Sequence, residues 1–163
     1  MKLIGVIGGQ EPGDDYLAIA EEVGRLIAEK GAALICGGLT GVMEAACRGA
    51  RGAGGLTIGV IPTIRKADAN PFVDIVISTG MGTARNVIIV RSADALIAID
   101  GSFGTLSEIS HAFEQGKKVV SLGSWDMRKI DIPEGLFQEA ISPAEAVEMA
   151  MKNLQNPEDD ITF

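Results

Sequence analysis

The sequence is short of rings, thiols, positive charge and long apolar runs, and each shortage excludes a class of protein. With one Trp, one Tyr and five Phe in 163 residues, a ligand platform of stacked aromatics has little to draw on. Tyr16 and Trp125 remain candidates for stacking on a base, beside their ordinary use in packing. The two cysteines, Cys36 and Cys47, lack Cys-x-x-Cys spacing and read as reduced core thiols. The single histidine, His111, lies three residues after Glu108 and so on nearly the same helix face. A carboxylate-bridged metal site needs partners from other helices. With only one such pair, a polar helix position is the reading, and no metal site is expected.

Lys and Arg number 14 against 22 Asp and Glu, a net charge of −8. That balance argues against a general nucleic-acid or acidic-membrane surface. A phosphate ligand would have to be held locally, by backbone donors and one or two Arg, which points to a small molecule. The longest apolar stretches are strand-sized and broken by Gly or charge, so none suits a bilayer. Met1 to Gly9 lacks the apolar length and cleavage site of a signal peptide, and a cytoplasmic location is expected.

What the chain has is glycine, 21 of them, collected where strands should end. Hydrophobic residues at 47% and charged residues at 22% fit a globular chain, and the length fits one domain over 1–163. Short apolar runs predict strands at 3–7, 32–36, 56–61, 73–77, 95–99 and 119–122. Apolar residues at helical spacing, with Asp14 as N-cap and Gly31 as stop, predict a helix over 16–30. Helices follow over 42–50, 83–91 and 106–115. Another starts at Ser142-Pro143-Ala144-Glu145, with Ser as N-cap, Pro at N1 and Glu at N3, and runs to about Asn153. The segments 63–71 and 124–135 read as irregular, and the tail 156–163 as frayed.

Nearly continuous apolar strands alternating with helices predict a Rossmann-like, doubly wound parallel sheet in a three-layer α/β/α arrangement. Ligands in such sheets sit outside the carboxyl ends of the strands. Four Gly-bearing turns fall there: Gly8-Gly9, Gly37 to Gly41, Gly80 to Gly82, and Gly101 to Gly104. None has the Gly-x-Gly-x-x-Gly or Gly-x-x-x-x-Gly-Lys-Ser/Thr form of the standard nucleotide loops. The stretch from Arg85 to Glu108 is the focus. A buried strand there runs through Asp100-Gly101-Ser102-Phe103-Gly104-Thr105 into a helix, aiming unpaired N–H groups and a helix dipole at one point. Arg85 and Glu108 bracket it. The helix containing Val87 to Val90 is apolar on every side, which predicts full burial or sharing with a second subunit, hence a homodimer or larger assembly.

Asp100 to Glu108 resembles the Pro-Gly-Gly-x-Gly-Thr-x-x-Glu motif of the Lonely Guy (LOG) family, long mislabelled lysine decarboxylases. Gly37-Gly38-Leu39-Thr40-Gly41-Val42-Met43 resembles that family's Gly-Gly-x-x-Gly-x-Met element, and Arg85-Asn86 stands at its Arg-Lys pair. The resemblance runs from the first strand to about Leu122. It implies phosphoribohydrolase chemistry, the cleavage of a nucleoside 5′-monophosphate to free base and ribose 5-phosphate, with no cofactor required. Gly101, Ser102, Gly104 and Thr105 would hold the phosphate. Glu108 would face the ribose and Arg85 the ligand's charge, as the catalytic pair. Gly8, Gly9, Gly37, Gly38, Thr40, Gly41, Met43, Asn86 and Phe103 would complete the binding site.

Asp100 for Pro, Ser102 for Gly and Asn86 for Lys depart from the motif. A carboxylate at position 100 either opposes the phosphate, recruiting a cation or proton, or points away into a turn. The chain also resembles molybdenum-cofactor carriers, which bind a phosphorylated pterin without catalysis, and that is the alternative function. A pyridoxal-phosphate decarboxylase is excluded, because no lysine lies in a Gly-rich turn at the carboxyl edge.

Overall fold

The structure is a computed structural model and describes residues 1–154. The tail expected to fray, 156–163, lies outside the described residues. Seven parallel strands form one sheet in the order β4-β3-β2-β1-β5-β6-β7. They are β1 (Leu3–Gly8), β2 (Ala33–Cys36), β3 (Thr57–Ile61), β4 (Ile75–Ser78), β5 (Ala95–Ile99), β6 (Val119–Leu122) and β7 (Phe137–Glu139). The helices are α1 (Asp14–Glu29), α2 (Val42–Gly52), α3 (Asn86–Ser92), α4 (Phe103–Glu114) and α5 (Pro143–Met151). This is the Rossmann-like α/β/α fold expected from the sequence. The strand order reverses between β1 and β5, where Gly8 pairs with Ile99. That reversal opens a crevice at the strands' carboxyl ends.

Alternate residues of each strand feed two cores. Ile4, Val6, Leu34, Cys36, Ile97 and Val120 pack with α1, α2 and α5 on one face. Ile7, Ile35, Val60, Leu96 and Ala98 pack with α3 and α4 on the other. Strands β2, β5 and β6 are buried along their whole length, which explains why their sequences show no polar alternation.

Several local expectations are corrected. Gly13, not Asp14, is the N-cap of α1; Asp14 and Asp15 lie in its first turn, where they favour the dipole. The helix expected over 83–91 begins as a 3-10 turn, Gly82–Arg85, before α3. It is not apolar-buried all round: Ile89 and Val90 are buried, while Val87 and Ile88 are half-buried. The segment 63–71 contains a short 3-10 turn and, near its end, the buried Asn70. The three-residue β7 was not foreseen.

The helices α1 and α2 cross at glycine. A Cβ on Gly24 would lie 1.9 Å from the carbonyl oxygen of Ala46, and one on Gly49 would lie 1.8 Å from that of Glu21. Both obstacles are backbone, so no rotamer change relieves them. Gly24→Ala should therefore destabilise the fold by about 3 kcal/mol, despite alanine's better helix propensity, as measured by urea denaturation. Full stability in that variant would contradict this packing.

Candidate functional site

A cavity of about 140 Å³ lies at the carboxyl edge, over the reversal point. Five connections build it. The end of β1 supplies Gly8 and Gln10, and the turn after β2 supplies Leu39 with Met43 from α2. Pro62 and Thr83 come from the segments around β4, followed by Arg85 and Asn86. The turn after β5 supplies Ser102, Gly104, Thr105 and Glu108. Gly41 lets two of these turns meet. Its φ is 72°, and a Cβ there would come within 2.4 Å of the carbonyl oxygens of Gly9 and Gln10. Only glycine fits both the backbone and the space.

The turn after β5 enters α4 through Ser102, whose backbone N–H donates to Oγ1 of Thr105 at 3.4 Å. The next amides belong to the first turn of a 12-residue helix, where N–H groups have no intrahelical acceptor and form the positive end of the dipole. Asp100 sits before them at φ 52°. Proline is fixed near −65°, so this turn is not one that a proline at position 100 can make. The Asp100 carboxylate faces a side cleft of about 440 Å³, shared with Gly9, Glu11 and Gly101. Gln10 and Ser102 line both spaces. Trp125 ties the following loop to the same turn, its indole N–H donating to the Ser102 carbonyl at 3.0 Å.

Arg85 and Glu108 lie side by side below this rim, 8% and 6% exposed. Arg85 is engaged by the scaffold. Its Nε donates to the Val60 carbonyl at 2.7 Å, its Nη2 to that of Gly37 at 3.3 Å, and its Nη1 to Oδ1 of Asn86. Asn86 passes the connection on, its Nδ2 lying 3.5 Å from the Gly104 carbonyl. Burial pulls the Arg85 pKa below its ordinary value, opposed by the nearby Glu108. Burial also pushes Glu108 up to about 8, against the lowering influence of Arg85. The carboxyl of Glu108 accepts no hydrogen bond from any described residue and is open to the cavity.

The structure thus brings together Gly8, Met43, Arg85, Asn86, Ser102, Gly104, Thr105 and Glu108 around one cavity. Gly9 and Gly101 line the side cleft. Gly37 lies behind Arg85, and Gly38 is buried against Ile61. Thr40 is exposed and lines neither space, and Gly41 serves the turn contact. Phe103 is 81% exposed and packs on Trp125, with ring centroids 5.8 Å apart. Tyr16 bonds the Gly123 carbonyl, and His111 pairs with Glu114 rather than Glu108. Among the described residues no three His, Cys, Asp or Glu converge as a metal set. Sequence reasoning missed Gln10, Leu39, Pro62 and Thr83. The signal for Gln10 and Pro62 was their place directly after strand ends.

Glu108 makes stability depend on pH. Between its ordinary value near 4.5 and about 8, the folded carboxyl holds a proton that the unfolded one has lost. The stabilising contribution is full below the lower value and disappears as pH rises through the upper one. Chemical denaturation across this window should show stability falling by up to about 1.4 kcal/mol per pH unit. That slope should be absent in Glu108→Gln, and equal slopes in the two proteins would refute the assignment.

A model of the SLOG cluster4 family matches residues 1–156. A protein of Archaeoglobus fulgidus, itself uncharacterised, is 51% identical over 149 residues, 87% of this chain and 97% of its own. A cytokinin riboside 5′-monophosphate phosphoribohydrolase of Mycobacterium tuberculosis is 34% identical over 120 residues, 68% of this chain and 64% of that protein. Among solved structures, the molybdenum cofactor binding protein of Rippkaea orientalis superimposes with a TM-score of 0.83 at 38% identity. It covers 91% of this chain and 94% of its own. With the motif, the sheet order and the carboxyl-edge cavity in agreement, the chain belongs to the SLOG cluster4 family.

Proposed function

We propose that this protein binds a phosphorylated small molecule at the carboxyl edge and holds it without cleaving it. The ligand class is a phosphate ester of a fused heterocycle, such as a phosphorylated pterin of the molybdenum-cofactor kind or a nucleotide. The observation that carries this reading is the engagement of Arg85. Each of its three guanidinium nitrogens already donates to a protein acceptor, so it braces the site rather than following charge along a reaction. Burial favours the protonated form of Glu108, which weakens the negative charge that would stabilise an oxocarbenium ion. The phosphate would rest on the free amides at the start of α4, and the heterocycle would extend along the cavity or into the side cleft. The likeness to the Rippkaea protein, at 38% identity over nearly all of both chains, supports the same reading.

Hydrolysis of a nucleoside 5′-monophosphate is the second reading. The retained Arg85 and Glu108 lining one cavity favour it, as does the relation to the mycobacterial phosphoribohydrolase. One experiment separates the two. The protein is incubated with AMP, GMP and a phosphorylated pterin, followed by thermal unfolding and by chromatography of the mixture. Binding without turnover predicts, at a ligand concentration of 100 times Kd, stabilisation of about 2.7 kcal/mol. It also predicts no free base above the no-protein control. Gly104→Asp puts a carboxylate among the cradle amides where a Cβ meets only Ser102 Oγ at 3.7 Å, so the fold should survive and the ligand shift should vanish. Release of free base, lost in Glu108→Gln, would replace the carrier reading with the hydrolytic one.

We also propose self-association through the uncovered end of the sheet. Ile75 and Ile77 of β4 are 47% and 42% exposed. They pair in register with Ile58 and Val60, on the face that α3 and α4 cover only in part. The half-buried Val87 and Ile88 of α3 add further apolar surface. Sedimentation at micromolar concentration should give a dimer or larger species, and Ile75→Glu with Ile77→Glu should shift it to monomer. A monomeric wild type would exclude the assembly.

A further inference from the structure

We propose that Cys36 and Cys47 are a redox couple, closed by a peroxide into an intramolecular disulfide that resets the Gly37–Gly41 turn of the ligand site. The chain has two cysteines, and they meet. Cys36 ends β2, Cys47 lies in α2, and their sulfurs are 3.5 Å apart. Both are buried, and neither belongs to the ligand cavity. A disulfide bond is about 2.0 Å long, so closure needs an approach of roughly 1.5 Å.

That movement is linked to the site by hydrogen bonds already present. The Gly38 N–H donates to the Cys36 sulfur at 3.3 Å. Asn70 holds the same turn from its other side, its N–H donating to the Gly38 carbonyl at 2.8 Å and its Nδ2 to that of Leu39 at 2.9 Å. The Asn70 side chain also contacts Cys47. Pulling the sulfurs together draws Cys36 away from the Gly38 amide and loads Asn70 from Cys47. Gly37, whose carbonyl receives Arg85, and Leu39, which lines the cavity, both lie within the segment that must adjust.

The pair has unlike partners. Cys36 is in contact with Cys47 and accepts from the Gly38 amide, and together these hold its thiol below the ordinary range against burial. Cys47 is held above that range by its bond to Cys36 and by burial. Cys36 is therefore the attacking sulfur and Cys47 the resolving one. The Cys36 thiolate attacks one oxygen of hydrogen peroxide, the O–O bond breaks, and hydroxide leaves with the second oxygen, giving a sulfenic acid. The Cys47 sulfur then displaces hydroxide from the Cys36 sulfur and loses its proton as the S–S bond forms. Overall, two thiols and one peroxide give one disulfide and two waters, two electrons passing from sulfur to oxygen. Because both thiols are buried, entry of the water-sized oxidant waits on local opening. The reaction is accordingly slower than that of an exposed thiol.

The test uses the full reduced chain and does not depend on the proposed function. After treatment with hydrogen peroxide, the tryptic peptide 31–48, which holds both cysteines, should be two hydrogens lighter and should regain them with dithiothreitol. Amides of residues 37–41 should exchange with solvent at least threefold faster in the oxidised protein. Cys47→Ser and Cys47→Ala should both abolish the mass loss and the exchange change. A peptide of unchanged mass, oxygen addition alone or cross-linking only between chains would overturn the couple. A two-hydrogen loss without altered exchange at 37–41 would overturn the link to the ligand turn.

Discussion

A single guanidinium holds the carboxyl edge in register. Arg85 reaches from the turn before α3 to the last residues of β3, to the Gly37 carbonyl after β2, and through Asn86 to the first turn of α4. Four connections that are far apart in sequence therefore share one rigid, planar donor. A backbone carbonyl at a strand end has no ladder partner, and leaving it bare in a buried place is unfavourable by about 1–3 kcal/mol. Arg85 satisfies two such groups while bringing a charge into the protein. Burying that charge costs several kcal/mol unless it is compensated. Glu108 is the nearest compensating group, and its own burial favours the protonated form. The site is poised between a neutral and an ionic arrangement, and an anion on the α4 amides would bias that balance.

The global charge sets the scale of that poise. A chain at −8 repels phosphate at a distance, and attraction begins only within about a Debye length of the local donors. On the proposed function, a compact anion would be favoured over a nucleic-acid strand. A few fixed amides can hold one phosphate, whereas a long polyanion would meet the surrounding carboxylates, Glu11 and Asp100 among them.

Much of this was legible in the sequence, because the signals were local. Uninterrupted runs such as Ala95 to Ile99 announce strands buried on both faces, and the glycines after them announce turns at the ligand edge. Arg85, Glu108 and the cradle between them could be placed by order and spacing. The rest depends on distance in space. Gln10, Leu39, Pro62 and Thr83 join the wall only because the sheet order sets four separate turns side by side. The N-cap moved by one residue because the backbone at Gly13, extended at φ −63° and ψ 157°, already ends the turn. β7 has three residues, of which only Phe137 is half-buried, too little for an apolar pattern. The sidedness of α3 depends on which part of the sheet it covers, and its composition carries no record of that. The departures at Asp100, Ser102 and Asn86 were visible as letters. Their meaning came from a left-handed backbone at Asp100 and a bridging role for Asn86.

The bond from the Trp125 indole to the Ser102 carbonyl has an optical consequence. The chain contains one tryptophan, so emission excited at the red edge of the aromatic absorption, where Tyr16 does not absorb, comes from a single indole tethered at the first turn of α4. The carbonyl that accepts from this indole belongs to the residue that caps α4, and Phe103 lies against the same ring. Any event that shifts the local field or water access at the cap changes the wavelength and yield of that emission. The protein thus carries its own fluorophore at the place where ligand occupancy would be decided.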